Sequence, residues 1–341
     1  MASSQRVSSI QDVFDIADCY CEAALLQFAH ASGLFEILVA PLPSAEVAAA
    51  KNWIPRKTGI LLDALASLGL LEKDGAVYQN ANVAAQSLVR SAPNYIGGLV
   101  EHERLQWALW GRMGEVLSSE KPVAGQQDLH LPANADANQV FHSAMAQLSL
   151  DLLEAVASLP EWEGKRRVLD LAGGHGTYIA TLATRHSELH GEVWDLPSAC
   201  SFAEANIKRH GVDDRVVFRA RNIADTCSYD DVKVDGVLLN HCLHHFTADV
   251  MRDIITQAFR ALEPGGVMVI LDVFLERDRV QPVDGAIFSL YMMMNTVFGE
   301  VHPTDEIATV ARSLGMEVTV TRLNNLEDDA ILVARKPSKV C

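Results

Sequence analysis

From residue 165 onward the chain alternates short, continuous apolar runs with amphipathic stretches, and this rhythm restricts the fold more than any other feature. The apolar runs are VLDLAGGHG from 168, GEVWDLP from 191, RVVFRAR from 215, DGVLLNHCL from 235 and VMVILDVFL from 267. Between them lie YIATLATRHSEL, SFAEANIKRHG and ADVMRDIITQAFRALEPGG, each with helical spacing. Apolar runs without alternation, joined through helices, predict strands buried on both faces of a parallel, doubly wound sheet. A late helix over TDEIATVARSLGM and strands over MEVTVTRL and DAILVARK are expected to close one edge. Ligands of such sheets bind at the carboxyl ends of the strands, where the strand order switches.

The 341 residues, 49% of them hydrophobic, exceed what this half needs, so a second domain is expected. In the first third, Ser8 and Gln11 suggest a capping box. One long amphipathic helix then carries Ile10, Phe14, Ala17, Cys21, Ala24, Leu25 and Phe28 until Gly33 stops it. Ser44 can cap a helix over 45–51, Pro55 suits the first turn of the next, and Gly69 ends ILLDALASLGLL before a hairpin turning at 72–75. Helix, turn, helix, hairpin is a winged-helix pattern. The expected division is 1–95 for this mainly helical unit, 96–160 for a helical connector, and 161–341 for the sheet domain.

A winged helix raises nucleic acid as a partner, but a net charge of −16 and a pI near 5.1 oppose phosphate binding, which needs clustered Lys and Arg. A ligand-sensing regulator is the reading this disfavours. No run of 18 apolar residues suggests a membrane span, and MASSQRVSSIQD lacks the pattern of a signal peptide, so a cytoplasmic protein is expected. Six scattered cysteines without a CxxC pair fit reduced thiols.

The chemistry centres on three stretches. In Asp170-Leu171-Ala172-Gly173-Gly174-His175-Gly176 the glycines allow close backbone approach to a ligand. No Walker Lys-Ser/Thr follows, and G-x-G-x-x-G is not matched. Asp195, at the end of the second strand, suits the two hydroxyls of a ribose, so the pair favours a nucleoside-bearing cofactor. NHCLHHF, 240–246, holds three histidines and a cysteine. A metal reading needs them to converge, whereas on a strand end His241 and Cys242 point apart, as do His244 and His245. No metal is expected.

Together VLDLAGGHG, WDLP, CLHHF and LEPGGVMVILDVFL resemble the small-molecule O-methyltransferases of the plant caffeate and bacterial polyketide-tailoring type, which use S-adenosylmethionine. The resemblance spans nearly the whole chain and implies a Rossmann-like class I methyltransferase domain behind a winged-helix dimerisation domain, hence a homodimer with a small-molecule substrate. It assigns cofactor contacts to Asp170, Gly173, Gly174, Gly176, Asp195, Leu196 and Asn240, and to Asn222-Ile223, where the family carries Asp-Met. The Asn222 carbonyl can still accept from an adenine amine. Tyr178 either faces the sulfonium or packs as an ordinary core ring.

The resemblance places the catalytic base on His244 and its orienting acid on Asp272. An imidazole titrating near neutrality can take a hydroxyl proton. Substrate-pocket positions fall on Trp107, Trp110, Phe141, Met145, Met292 and Thr296, with Met113 and Met293 beside them. Aromatic and Met residues at helical spacing are equally read as core. The departures are His245 and Phe246, where the family has Asp and Trp, and Val301, where it has a second acid; Glu300 stands one residue away. They leave C- or N-methylation, or an intramolecular cyclisation of S-adenosylmethionine that releases methylthioadenosine, as the alternative chemistry.

Overall fold

The computed structural model describes residues 7–124, 126, 145, 150–225, 229, 231–323 and 326–338. These fall into two compact units: residues 7–108 with Met145, and residues 109–126 with 150–338.

In the first unit the long helix expected from residue 10 is two helices, Ile10–Asp18 and Tyr20–Ala31. The cap differs by one residue from the expected Ser8/Gln11 pair. Ser9 Oγ accepts from the Asp12 amide (3.2 Å), while the Asp12 carboxylate accepts from the Ser8 and Ser9 amides (2.7 Å each). The chain turns at Cys19, whose thiol donates to the Ile16 carbonyl. Ile10 and Phe14 are exposed, and the buried face starts with Leu25, Leu26 and Ala29. Gly33, at φ 69°, ends the second helix as expected.

Helices Ser44–Lys51 and Pro55–Ser67 follow. Pro43, not Ser44, holds the N-cap position of the former, and it makes no side-chain cap. Strands β1 (Leu42–Pro43), β2 (Leu71–Asp74) and β3 (Val77–Asn80) form an antiparallel sheet in the order β1-β3-β2, with Gly75 at φ 58° in the hairpin. Leu34, Leu38, Leu62, Leu65 and Tyr78 fill the core of this unit.

The second unit is built on seven strands: β4 (Arg167–Leu171), β5 (His190–Asp195), β6 (Val216–Ala220), β7 (Val234–Asn240), β8 (Leu262–Val273), β9 (Glu317–Leu323) and β10 (Leu326–Arg335). Their order is β6-β5-β4-β7-β8-β10-β9; the first five are parallel and β10 runs antiparallel to both neighbours. Alternate residues serve opposite faces. Leu169, Leu171, Val237, Leu239, Met268 and Ile270 pack against helices Ala248–Ala261 and Thr304–Ser313. Val168, Leu238, Val267 and Val269 pack against Leu150–Ala157, Thr177–Arg185 and Cys200–Arg209. In Ala248–Ala261, Met251, Ile254, Ile255 and Ala258 form one stripe, and full burial of each large side chain contributes about 1.5–3 kcal/mol. At Gly191 a Cβ would lie 2.5 Å from Ile179, so the helix after β4 sits close against β5.

The order reverses between β4 and β7, because the chain runs outward through β5 and β6 before returning to the other side of β4. The carboxyl ends of β4, β5, β7 and β8 therefore frame one crevice. Among the described residues, no helix is long and apolar enough to cross a membrane.

Candidate active site

The turn after β4 winds through left-handed backbone at Ala172 (φ 52°), Gly174 (φ 52°) and Gly176 (φ 67°). A Cβ on Gly173 would stand 2.6 Å from the Asp170 carboxylate, so glycine is required there for the turn to close over the strand. The Gly174 amide donates to Asp195 Oδ2 (2.7 Å) and the Leu196 amide to Asp195 Oδ1 (2.6 Å), which ties the end of β5 to the turn.

Asp170 is fully buried, and neither carboxylate oxygen forms a hydrogen bond of ordinary length among the described residues. Burial, and next the nearby Asp195 charge, push its pKa up to about 8, offset only in part by the Ile179 backbone amide. Burial also raises Asp195, against the two amides that stabilise its charge. Asn240 ends β7 beside this turn, and both its amide oxygen and nitrogen are buried with no partner among the described residues. Orphaned acceptors under a glycine cradle fit a polar, cationic ligand that supplies the missing donors.

Other expected cofactor contacts are engaged inside the protein. Asn222 Oδ1 accepts from the Ala224 amide (3.0 Å), and the Ile223 side chain packs in the core while its carbonyl accepts from the Tyr229 hydroxyl (3.0 Å). The Tyr178 ring packs in the core on one face of the sheet.

Beyond Asn240 the strand does not continue as the sequence suggests. His241 turns into left-handed backbone (φ 48°), and residues 243–245 form a short 3-10 turn. The expectation that His244 and His245 diverge is thereby corrected: helical geometry sets their rings 4.7 Å apart, tilted by 39°. The His241 ring lies 6.4 Å from that of His244, and its Nε2 is 3.7 Å from Asp329 Oδ1. Among the described residues, no group of His, Cys, Asp or Glu is arranged to hold a metal ion.

His244 and Asp272 are both buried, and the Nδ1–H of His244 donates to Asp272 Oδ1 in a short hydrogen bond. Asp272 also accepts from the amides of Leu243 (3.1 Å) and Val273 (2.9 Å). Burial alone would raise Asp272, but the imidazole and these donors outweigh it and hold the carboxyl below its ordinary value. Burial, with His244 adjacent, lowers His241 and His245 well below an ordinary imidazole, so both are uncharged at neutral pH.

Sequence reasoning missed what surrounds this dyad. Phe288, on helix Val283–Asn295, meets the His244 ring edge to face at 5.0 Å; Tyr291 stacks on Phe288 at 5.9 Å, and Trp110 lies 6.1 Å beyond. The signal was available in the spacing of Phe288 and Tyr291, which helical geometry sets side by side. His302 Nε2–H donates to the Leu243 (3.2 Å) and Phe246 (3.0 Å) carbonyls. At Gly299 a Cβ would lie 2.9 Å from the His244 carbonyl.

Of the expected pocket residues, Met292 is buried near Gly299, and Trp110 joins the aromatic row. The Thr296 hydroxyl donates to the Met292 carbonyl (2.7 Å) and accepts from the Gly299 amide (2.8 Å), so it closes the end of the helix. Met293 lines a cavity of about 350 Å³ with Leu275, Arg279, Leu290 and Glu300. Trp107, 45% exposed, and half-buried Met145 belong to the N-terminal unit, and Phe141 lies outside the described residues. Val301 is fully buried, whereas the partly exposed Glu300 pairs with Arg279 (3.3 Å), so among the described residues no carboxylate occupies the second acid position.

Comparison with known proteins decides the family. Residues 129–317 match the O-methyltransferase domain and residues 14–90 the O-methyltransferase dimerisation domain. The chain is an O-methyltransferase of this family. Its N-terminal dimerisation domain is the helical unit, its catalytic domain has the class I methyltransferase fold, and S-adenosylmethionine is its cofactor. The chain is 30% identical to the 3-hydroxy-5-methyl-1-naphthoate 3-O-methyltransferase of Streptomyces sahachiroi, over 83% of this chain and 82% of that one. It is 27% identical to the tetracenomycin polyketide synthesis 8-O-methyl transferase TcmO of Streptomyces glaucescens, over 99% and 100%. An O-methyltransferase family protein from Burkholderia thailandensis superposes with a TM-score of 0.94 at 38% identity, covering 98% of this chain and 100% of that one.

Proposed function

We propose that this O-methyltransferase methylates a phenolic hydroxyl of a fused-ring aromatic intermediate of secondary metabolism, with His244 as general base and Asp272 as the acid that orients it. The observation that carries the reading is the buried dyad: Nδ1–H is committed to Asp272, so Nε2 carries the free lone pair. When bound, S-adenosylmethionine supplies an electrophilic methyl group on a sulfonium. Gly173, Gly174 and Gly176 would cradle it, Asp170 and Asn240 would offer acceptors to its cationic part, and Asp195, which already receives the Gly174 and Leu196 amides, would take its ribose on its remaining lone pairs. Burial keeps His241 and His245 uncharged, so neither of these two rings adds positive charge beside the turn.

As the acceptor oxygen takes the methyl group, its proton passes to Nε2 of His244, and the imidazolium so formed is stabilised by the ionised Asp272. The row Phe288, Tyr291 and Trp110 gives a flat ring system a surface to stack on, which orients the hydroxyl toward His244. One Streptomyces relative is named for a hydroxynaphthoate, which is of this shape, and the other for polyketide synthesis. The N-terminal unit is read as a winged helix that pairs two copies, with exposed Ile10, Val13 and Phe14 available at the dimer surface.

The test is incubation with S-adenosylmethionine and a panel of hydroxynaphthoates and hydroxyanthraquinones, followed by mass spectrometry. An O-methyl ether with matching S-adenosylhomocysteine is expected, with turnover lost in His244→Ala while cofactor affinity stays within about twofold. Undiminished turnover in His244→Ala removes the base. Methylthioadenosine formed from S-adenosylmethionine alone, or a methyl group on carbon or nitrogen, overturns the reaction.

A further inference from the structure

Val301 leaves the catalytic histidine without its second flanking acid, which raises the question of what else fixes the 243–246 turn. His302 is the neighbouring residue and is only 2% exposed. Its Nε2 faces two carbonyl oxygens, Leu243 at 3.2 Å and Phe246 at 3.0 Å, and a carbonyl can only accept. The proton therefore resides on Nε2 and is shared between the carbonyls that bracket His244 and His245. Nδ1 is buried with no partner among the described residues.

The backbone of His302 is equally fixed. Its carbonyl accepts from the Leu275 amide (3.4 Å), the Leu275 carbonyl accepts from the Thr304 amide (3.0 Å), and Leu275 bridges Pro303 in parallel. Leu275 is three residues beyond Asp272 on the continuation of β8. The Leu243 backbone is thus held at both ends, its amide by Asp272 Oδ2 (3.1 Å) on β8 and its carbonyl by His302 on the segment bridged to the continuation of β8. An imidazole is rigid, and a shared donor fixes two carbonyls at once, so the turn cannot slide without breaking both bonds.

We propose that His302 is a positioning residue, which acts through the turn to hold His244 in line with Asp272 where the family uses a second acid. The inference rests on the reading of His244 as base, but its test does not need turnover. In the full-length protein, the Nδ1–H proton of His244, shielded by its bond to Asp272, is expected as a downfield imidazole resonance, identified by its loss in His244→Gln. His302→Ala is expected to abolish that resonance through faster exchange while melting as a folded protein. His302→Gln, whose amide N–H can donate to the same carbonyls, is expected to restore it.

Retention of a sharp resonance in folded His302→Ala overturns the proposal, as does its absence from the parent protein. Loss in folded His302→Gln also overturns it, and that variant decides the matter if the alanine variant does not fold. Should His244→Ala keep full turnover in the acceptor assay, the base reading fails by itself, while the resonance still reports whether His302 sets the ring.

Discussion

The glycine cradle and the histidine turn lie side by side at the carboxyl edge of one sheet, yet they are held in place by different means. The cradle is made mostly by consecutive residues, with left-handed backbone at 172, 174 and 176 and a Cβ-free Gly173 over Asp170, and is tied to the adjacent strand by one carboxylate, Asp195, that receives two amides. The turn is made by residues far apart in sequence, with Asp272, Phe288, Gly299 and His302 all converging on 243–246. A site of the first kind carries its specification in a local motif; one of the second kind depends on how several strands and loops are stacked.

That contrast breaks first at Asp272. Asp272→Asn is expected to lower turnover by about 10²- to 10⁴-fold, the range a general base contributes, because an amide can neither stabilise the imidazolium nor guarantee the tautomer. Cofactor affinity, measured by calorimetric titration, is expected to hold. A parallel loss of both would mean that the two sites are one. A crossed pair of glycine variants sharpens the point. Gly173→Ala sets a methyl 2.6 Å from the Asp170 carboxylate and is expected to weaken cofactor binding by about 10- to 100-fold, as overpacking of about 1–3 kcal/mol implies. Gly299→Ala sets one 2.3 Å from Thr296 Oγ1 and 2.9 Å from the His244 carbonyl, and a similar loss is expected in turnover with cofactor affinity kept. If Gly299→Ala instead weakened the cofactor and left turnover intact, the separation of cradle and turn would be wrong.

The same contrast explains what the sequence made legible. The parallel sheet, its edge strands, the glycine turn and Asp195 follow from periodicity and local spacing, and the structure contains them at the expected positions. His244 and Asp272 came from a motif and are indeed joined. The conformation of 241–246 does not follow in the same way: strand alternation predicts an extended segment where the chain forms a 3-10 turn at 243–245, and tertiary partners such as His302 fix that choice. Phe14 illustrates a related failure: helical spacing marks an apolar stripe but does not say whether the same chain covers it, and here Phe14 is exposed.

A smaller effect distinguishes the cradle by its pH dependence. Asp170 has a pKa of about 8 in the folded chain against about 3.9 when unfolded. The folded state then holds an extra proton between those values. Its contribution to stability is complete below about pH 4 and is lost as the pH rises through about 8. In the ligand-free protein, melting temperature is expected to fall more steeply from pH 5 to pH 9 than in Asp170→Asn, whose amide carries no such proton. A cationic ligand favours the ionised form, so cofactor affinity is expected to rise over the same interval in the parent and to stay flatter in the variant. Melting curves of parent and variant that run parallel across that interval would show that Asp170 is ionised throughout.

The smallest effect concerns Glu300, the carboxylate adjacent in sequence to the position where the family keeps its second acid. Proximity in sequence suggests a substitute for that acid, whereas the side chain is 39% exposed and is spent on Arg279, itself shared with Glu306 and the Val301 carbonyl. A solvent-exposed pair of this kind contributes little, and among the described residues no hydrogen bond or ion pair joins Glu300 to the His244 ring. Glu300→Gln is therefore expected to leave turnover within about twofold of the parent, because the turn is braced by His302 and Asp272. A loss as large as that of Asp272→Asn would mean that the Arg279 loop rearranges to bring Glu300 against His244 during the reaction, and that the turn seen here is only its resting arrangement.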